Sequence, residues 1–139
     1  AHDFILRLPE GYNTMLTGYM PDYTCLVTPI FRAYEYYLHR ILGDIMGLDT
    51  ETDKGANNFS FFTKNAAGLY ECNSRSRSAL SAQQLNYLNN LYTKYNSVRH
   101  PYSHWSASDV DTAVITSIDE ARNLLNDGII LVNQNYTLF

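Results

Sequence analysis

Between Asp22 and Met46, the residues Val27, Ile30, Tyr34, Tyr37, Leu38, Ile41 and Ile45 recur at intervals of three and four positions. That spacing lines them along one face of a helix, and such a stripe is stable only when another element covers it. Pro29 either sits in the first turn of a helix capped by Thr28 or kinks a longer helix that starts near Asp22. Two further tracts have the same character. Ser81-Ala82-Gln83-Gln84 has the form of a capping box, and Leu85, Leu88, Leu91, Tyr92, Tyr95 and Val98 follow it on one face. The tract 112–134 holds Val114, Ile118, Ala121, Leu125 and Val132 in register, with Asp119 and Glu120 opposite. Gly128 either lets this last helix pack closely or breaks it. Amphipathic helices of this length gain their stability from one another, so the expected fold is all-α, an antiparallel four- to five-helix bundle.

The chain has 139 residues, 45% of them apolar, enough for one domain with a proper core. Residues 1–21 carry two prolines and two glycines among short apolar runs and are assigned as an N-terminal arm or connection, which leaves 22–139 as the helical domain. A start at Ala1 fits a domain cut from a longer protein, or a processed one. Residues 47–58 form a polar, turn-rich loop, and Phe59-Ser60-Phe61-Phe62 suggests a brief helix over 58–67.

A net charge of −4 argues against a broad, non-specific nucleic-acid surface, so any RNA substrate needs a local basic site. Arg75 and Arg77 form the one tight basic cluster; they suit an RNA backbone, although a solvated loop is the plainer explanation. Cys25 and Cys72 have no metal-type spacing to a histidine, and free thiols in a reducing cytoplasm are the simplest assignment, with pairing left open. No metal and no cofactor are expected. No apolar run approaches the length of a membrane span, and no signal-peptide pattern opens the chain.

The chemistry concentrates in Arg99-His100-Pro101-Tyr102-Ser103-His104. Cleaving RNA without a metal needs a proton carrier near neutral pH, which histidine supplies, and a fixed cation for the phosphate oxygens, which arginine supplies as a planar fork. Pro101 is expected to end the helix that delivers Arg99, so that His104 leaves on a separate turn. Arg99 and His100 also suit plain capping of a helix carboxyl end. Glu35 lies at the edge of its apolar stripe and needs a partner. An ion pair with His39 or Arg32 one turn away would supply one; alternatively Glu35 faces Arg99 or His104 across the bundle and orients it. Twelve tyrosines, many on helix faces, suit bundle edges and subunit contacts; Tyr95, Tyr102 and Trp105 beside the motif also suit stacking on RNA bases.

Arg99-His100-Pro101-Tyr102-Ser103-His104, with a helix before it and another after, resembles the arginine, four to six residues, histidine signature of the HEPN superfamily. The length, the acid at Glu35 and the tyrosine-rich helices look most like the carboxy-terminal nuclease domain of RnlA/LsoA-type toxins (RNase LS). The resemblance implies a metal-independent endoribonuclease that leaves 2′,3′-cyclic phosphate ends. His104 would be the general base or acid and Arg99 the phosphate ligand, with Glu35 the supporting acid and His100, Ser103 and Tyr102 positioning the substrate. It further implies a homodimer with a composite site, a protein antitoxin as partner, a cytoplasmic setting and a role in defence against bacteriophage. The main alternative is an inactive HEPN-like module that binds an antitoxin or regulator and uses Arg99 structurally. A toxin paired with a nucleotidyltransferase fits less well, because that group tends to show a tyrosine where Ser106 stands. CRISPR-associated and stress-sensor HEPN domains share the motif.

Overall fold

The computed structural model of the chain describes residues 23–103 and 113–139, with the side chains of residues 99–101, 103 and 134–136 outside the description. The expected arm at 1–21 and the turn after Trp105 therefore lie outside the described residues. Three helices dominate the rest: α1 (Thr24–His39), α2 (Ala82–Ser103) and α3 (Ile118–Asn135). A short hairpin joins strands β1 (Phe62–Lys64) and β2 (Tyr70–Cys72).

Helix α1 is the longer of the two alternatives offered by Pro29, since the proline lies inside it. Val27, Ile30, Tyr34 and Leu38 of the expected stripe are buried, Phe31 joins them, and Tyr37 is half-buried. At Arg40–Ile45 the helix widens into a π turn, and the Met46 N–H reaches back five residues to the Ile41 carbonyl at 3.1 Å. The extra residue in the turn rotates the positions after it about the helix axis. Ile45, expected on the apolar face, is exposed, and Met46 takes its place in the core. Gly47, with φ of 68°, then ends the helix in the left-handed conformation that suits glycine.

The capping box at the start of α2 forms in full. The Ser81 N–H donates to Gln84 Oε1 at 2.9 Å, and the Gln84 N–H donates to Ser81 Oγ at 3.2 Å. Gln84 Nε2 also donates to the Leu138 carbonyl at 2.6 Å, tying the last turn of the chain to the start of α2. Helix α2 does not stop at Pro101 as expected; its backbone runs on to Ser103. Proline removes one N–H from the ladder and crowds the carbonyl four residues earlier, a cost that weakens or kinks a helix without always ending it.

Helix α3 begins at Ile118, later than the tract from 112 implied. Residues 113–117 are not helical, and are held by the Tyr23 N–H on the Ile115 carbonyl at 2.7 Å and the Ile115 N–H on Thr24 Oγ1 at 3.2 Å. Ile115 is fully buried there, while Val114 faces out. Asp119 and Glu120 fall in the first turn of α3, where the helix dipole favours negative charge.

Contacts order the helices. Helix α1 packs against both α2 and α3. Gln84 meets Leu138, Lys94 meets Asp127 and Tyr102 meets Glu120, so α2 and α3 run antiparallel. Thr24 meets Ile115, and Ile30 and Tyr34 meet Gly128, so α1 and α3 run parallel. Gly128 is where close packing is required: a Cβ there would lie 2.2 Å from Ile30 Cγ1 and 2.5 Å from the Tyr34 hydroxyl. The glycine therefore permits close contact and does not break the helix.

The hairpin is the departure from an all-α fold, and it replaces the brief helix expected over 58–67. Its turn explains why. Asn65 Oδ1 accepts the N–H groups of Ala67 and Leu69, and Gly68 takes φ of 81°, a combination that closes a tight turn and opposes a helix. The strands pair antiparallel, Phe62 with Cys72 and Lys64 with Tyr70. The outer edge of β2 is satisfied by α2: the Tyr70 N–H donates to Thr93 Oγ1 and the Cys72 N–H to Asn89 Oδ1, both at 2.9 Å. Phe62 stacks on Tyr92 with ring centres 3.8 Å apart.

Candidate functional site

Glu35 and His39 stand one turn apart on α1, both half-buried, and face the loop 47–58. That loop closes on itself. Glu51 pairs with Asn57, the Thr52 N–H donates to the Ala56 carbonyl at 2.8 Å, and the Asn58 N–H donates to the Thr50 carbonyl at 2.8 Å. Its polar composition gives the turn, and its own hydrogen bonds give it a defined shape. Two of its side chains reach α1. Asn57 Nδ2 donates to Glu35 Oε1 at 3.0 Å, and Asn57 Oδ1 lies 2.9 Å from His39 Nε2. Thr50 Oγ1 lies 2.8 Å from His39 Nδ1.

The same carboxylate meets α2, where the Tyr95 hydroxyl donates to Glu35 Oε1 at 3.4 Å. Phe59 fills the angle between the elements, edge-on to His39 at 4.9 Å and to Tyr95 at 5.5 Å. Glu35 is thereby joined to His39 through Asn57, an arrangement more extended than the pair within the helix that the spacing suggested.

Arg99 occupies the α2 position one turn beyond Tyr95, on the same helix face. His100 and Ser103 also belong to the last turns of α2 by their backbone. His104 lies outside the described residues. Tyr102 is half-buried between α2 and α3, donating its hydroxyl to Glu120 Oε1 at 3.2 Å; burial, then the Glu120 charge, raise its pKa. Arg75 and Arg77 sit on an exposed turn, Arg75–Ala79, capped by Ser74 Oγ accepting the Ser76 N–H. Arg77 Nη1 donates to the Cys72 carbonyl at 3.3 Å. The cluster is apart from Glu35 in the chain and is tied to the hairpin.

Sequence reasoning gave Glu35 as a half-buried acid in need of a partner, but not Asn57, Thr50 and Phe59 as its surroundings. The signal was faint, because Asn57 stands in a polar loop with no periodicity to give its direction. Among the described residues, no group of three histidine, cysteine or acidic side chains is placed to hold a metal ion. Cys25 is exposed and Cys72 buried, and both are free thiols. No described helix is long and apolar enough to cross a membrane.

Chemically, the arrangement presents one carboxylate at a junction of α1, α2 and the loop, fixed on Oε1 by a described amide and a described phenol. A carboxylate held this way keeps its orientation and can aim a neighbouring cation or imidazole.

Comparison with known proteins bears on what that junction serves. A search of curated proteins gives no match. Among solved structures, the fold is similar to that of Escherichia coli toxin LsoA, crystallised in complex with T4 phage antitoxin Dmd, with a TM-score of 0.64 and 21% identity. The alignment covers 85% of this chain and 44% of that one, so the chain spans less than half of the toxin's length. The family model described as RNase LS, bacterial toxin DBD domain, matches residues 10–106, a stretch that contains Glu35, Arg99 and His104. Since that match covers more than half of the sequence, the chain belongs to the RNase LS, bacterial toxin DBD domain family, in the RnlA/LsoA-type group of toxins.

Proposed function

We propose that this chain is the endoribonuclease module of a toxin from a toxin–antitoxin system, acting without a metal. The observation that carries the proposal is the junction at Glu35: the acid on α1 is bonded to Tyr95, one turn before Arg99 on the helix that leads into Arg99-x4-His104. An acid bonded to this helix, with an arginine and a histidine in the motif the helix leads into, supplies side chains suited to RNA transesterification.

In this mechanism His104 takes the proton from a ribose 2′-hydroxyl as that oxygen attacks the adjacent phosphorus. The bond from phosphorus to the 5′-oxygen breaks, and the leaving oxygen takes up a proton. The products carry a 2′,3′-cyclic phosphate and a 5′-hydroxyl. Arg99 binds the phosphate and offsets the charge that builds on its oxygens. Glu35 orients this pair, and His100, Ser103 and Tyr102 position the RNA, with Arg75 and Arg77 as outlying backbone contacts. The chain has the helical core of a HEPN-like domain over 22–139, works as a homodimer with a composite site, and is checked in the cytoplasm by a protein antitoxin during phage defence. The family supports the toxin assignment, and the antitoxin bound to LsoA supports the partner class.

A second function has one observation in its favour. Between α2 and α3 an open groove is lined by Asn90, Thr93, Lys94, Ser97, Asp127, Ile130 and Leu131, with Ile130 exposed. A domain that only docks an antitoxin or regulator would use such a surface and need no catalysis.

Cleavage of a mixed RNA in EDTA by the wild type, Arg99→Ala and His104→Ala separates the two. The nuclease assignment predicts cyclic phosphate ends from the wild type and a loss of at least about a hundredfold in both folded variants. Wild-type cleavage that survives either substitution would remove that residue from the mechanism, and a folded full-length protein that leaves RNA intact would favour the docking module.

A further inference from the structure

We infer that Asn57 is a positioning residue for the Glu35 carboxylate, itself aimed by His39 and Thr50; this rests on the catalytic role proposed for Glu35. The direction of every hydrogen bond in the chain of contacts is set by its carboxylate end. An ionised carboxylate only accepts, so the side of Asn57 that faces Glu35 Oε1 at 3.0 Å is the NH₂ group. The amide oxygen then faces His39 Nε2 at 2.9 Å, and an amide oxygen also only accepts. His39 must carry a proton on Nε2. In the neutral ring Nδ1 is then the acceptor, and Thr50 Oγ1 at 2.8 Å donates to it. The donors run in one sense, from Thr50 through His39 and Asn57 to Glu35.

Three features keep this relay in place. Its two loop members, Thr50 and Asn57, flank a loop closed by its own backbone bonds, including the Asn58 N–H on the Thr50 carbonyl at 2.8 Å. Phe59 packs against the His39 ring and against Tyr95, so the same side chain steadies both donors' surroundings. His39 and Glu35 share one helix at a spacing of one turn, so the amide spans a fixed gap. Both described donors fall on Oε1, Asn57 from the loop and Tyr95 from α2, and they hold that oxygen between the two elements. A catalytic acid that is free to rotate loses effectiveness, and small errors of placement lower rates sharply.

A kinetic cycle tests the assignment, read with a fluorophore–quencher RNA of mixed sequence. Asn57→Leu should lower kcat about tenfold with KM unchanged, and the same substitution in a Glu35→Gln background should cost nothing further. Asn57→Asp, which keeps the loop's shape but turns the donor into an acceptor, should behave alike if the leucine variant folds poorly. Equal losses in both backgrounds, or full activity in Asn57→Leu, would overturn the assignment. An independent arm needs no cleavage: ring-nitrogen NMR of wild-type His39 should show the Nε2-protonated tautomer, and Asn57→Leu should mix the two tautomers. An Nδ1-protonated ring in the wild type would overturn the relay even if the protein cleaves RNA. A protein that shows the expected tautomer yet leaves RNA uncut would sink the nuclease function while leaving the hydrogen-bond relay standing.

Discussion

Helix α1 meets the rest of the protein through two unlike faces. On one, Ile30 and Tyr34 close on Gly128 so tightly that a methyl group has no room, and Val27 and Leu38 are fully buried. On the other, Glu35 and His39 meet a polar loop through hydrogen bonds near the surface. The first face stabilises by excluded water and fitted volume, which depend on shape. The second adds little stability, because hydrogen bonds open to water contribute modestly, but it fixes the direction of a carboxylate. Damage to the first face should be read in stability, and damage to the second in activity.

The largest effect should come from Leu38→Ala, which empties a fully buried site and should lower unfolding free energy by about 3 kcal/mol in chemical denaturation. Gly128→Ala is next. The new methyl group would overlap buried Ile30 and Tyr34 atoms, and overpacking of about 1–3 kcal/mol should outweigh the gain of roughly 1 kcal/mol in helix propensity. A rise in melting temperature for Gly128→Ala would break the close-contact half of the comparison. Smaller still is the role of the tyrosine hydroxyls under this face. Those of Tyr34 and Tyr87 have no hydrogen-bond partner among the described residues, and burial raises both pKa values, that of Tyr87 to about 12. Below pH ~10, the ordinary tyrosine value, both states keep these protons and the contribution is complete. Above it the unfolded chain loses them first, so stability should fall between pH 10 and 12. Tyr87→Phe should flatten that fall and change stability at neutral pH by less than about 1 kcal/mol, in melts run across the range.

How much of this was legible in the sequence depended on how local the signal was. The stripe on α1 and the capping box at Ser81 and Gln84 are set by neighbouring residues, and both formed as expected. Ile45 and Met46 exchanged places because a single π turn shifts register, an event that periodicity alone does not announce. The strands of three residues at Phe62 and Tyr70 were too short to show alternation; Asn65 and Gly68 carried the only cue. Val114 looked like part of a helix face, whereas the buried residue there is its neighbour Ile115, whose partner, Thr24, is distant in sequence. Pro101 was taken as a stop, but the backbone of α2 carries the proline inside the helix, as α1 does Pro29. At the site, Glu35 was visible as an acid beside an apolar stripe, whereas the loop that holds it was not, since Asn57 acquires its direction only when the loop folds back on α1.

Glu35→Gln, measured in the same preparation for melting temperature and for RNA cleavage, tests the division between the two faces most directly. The substitution preserves shape and removes charge. Melting within a degree or two of the wild type, with cleavage at least about tenfold slower, is the predicted result. Unchanged cleavage together with a clear loss of stability would contradict it, and would make the polar face of α1 one more part of the scaffold.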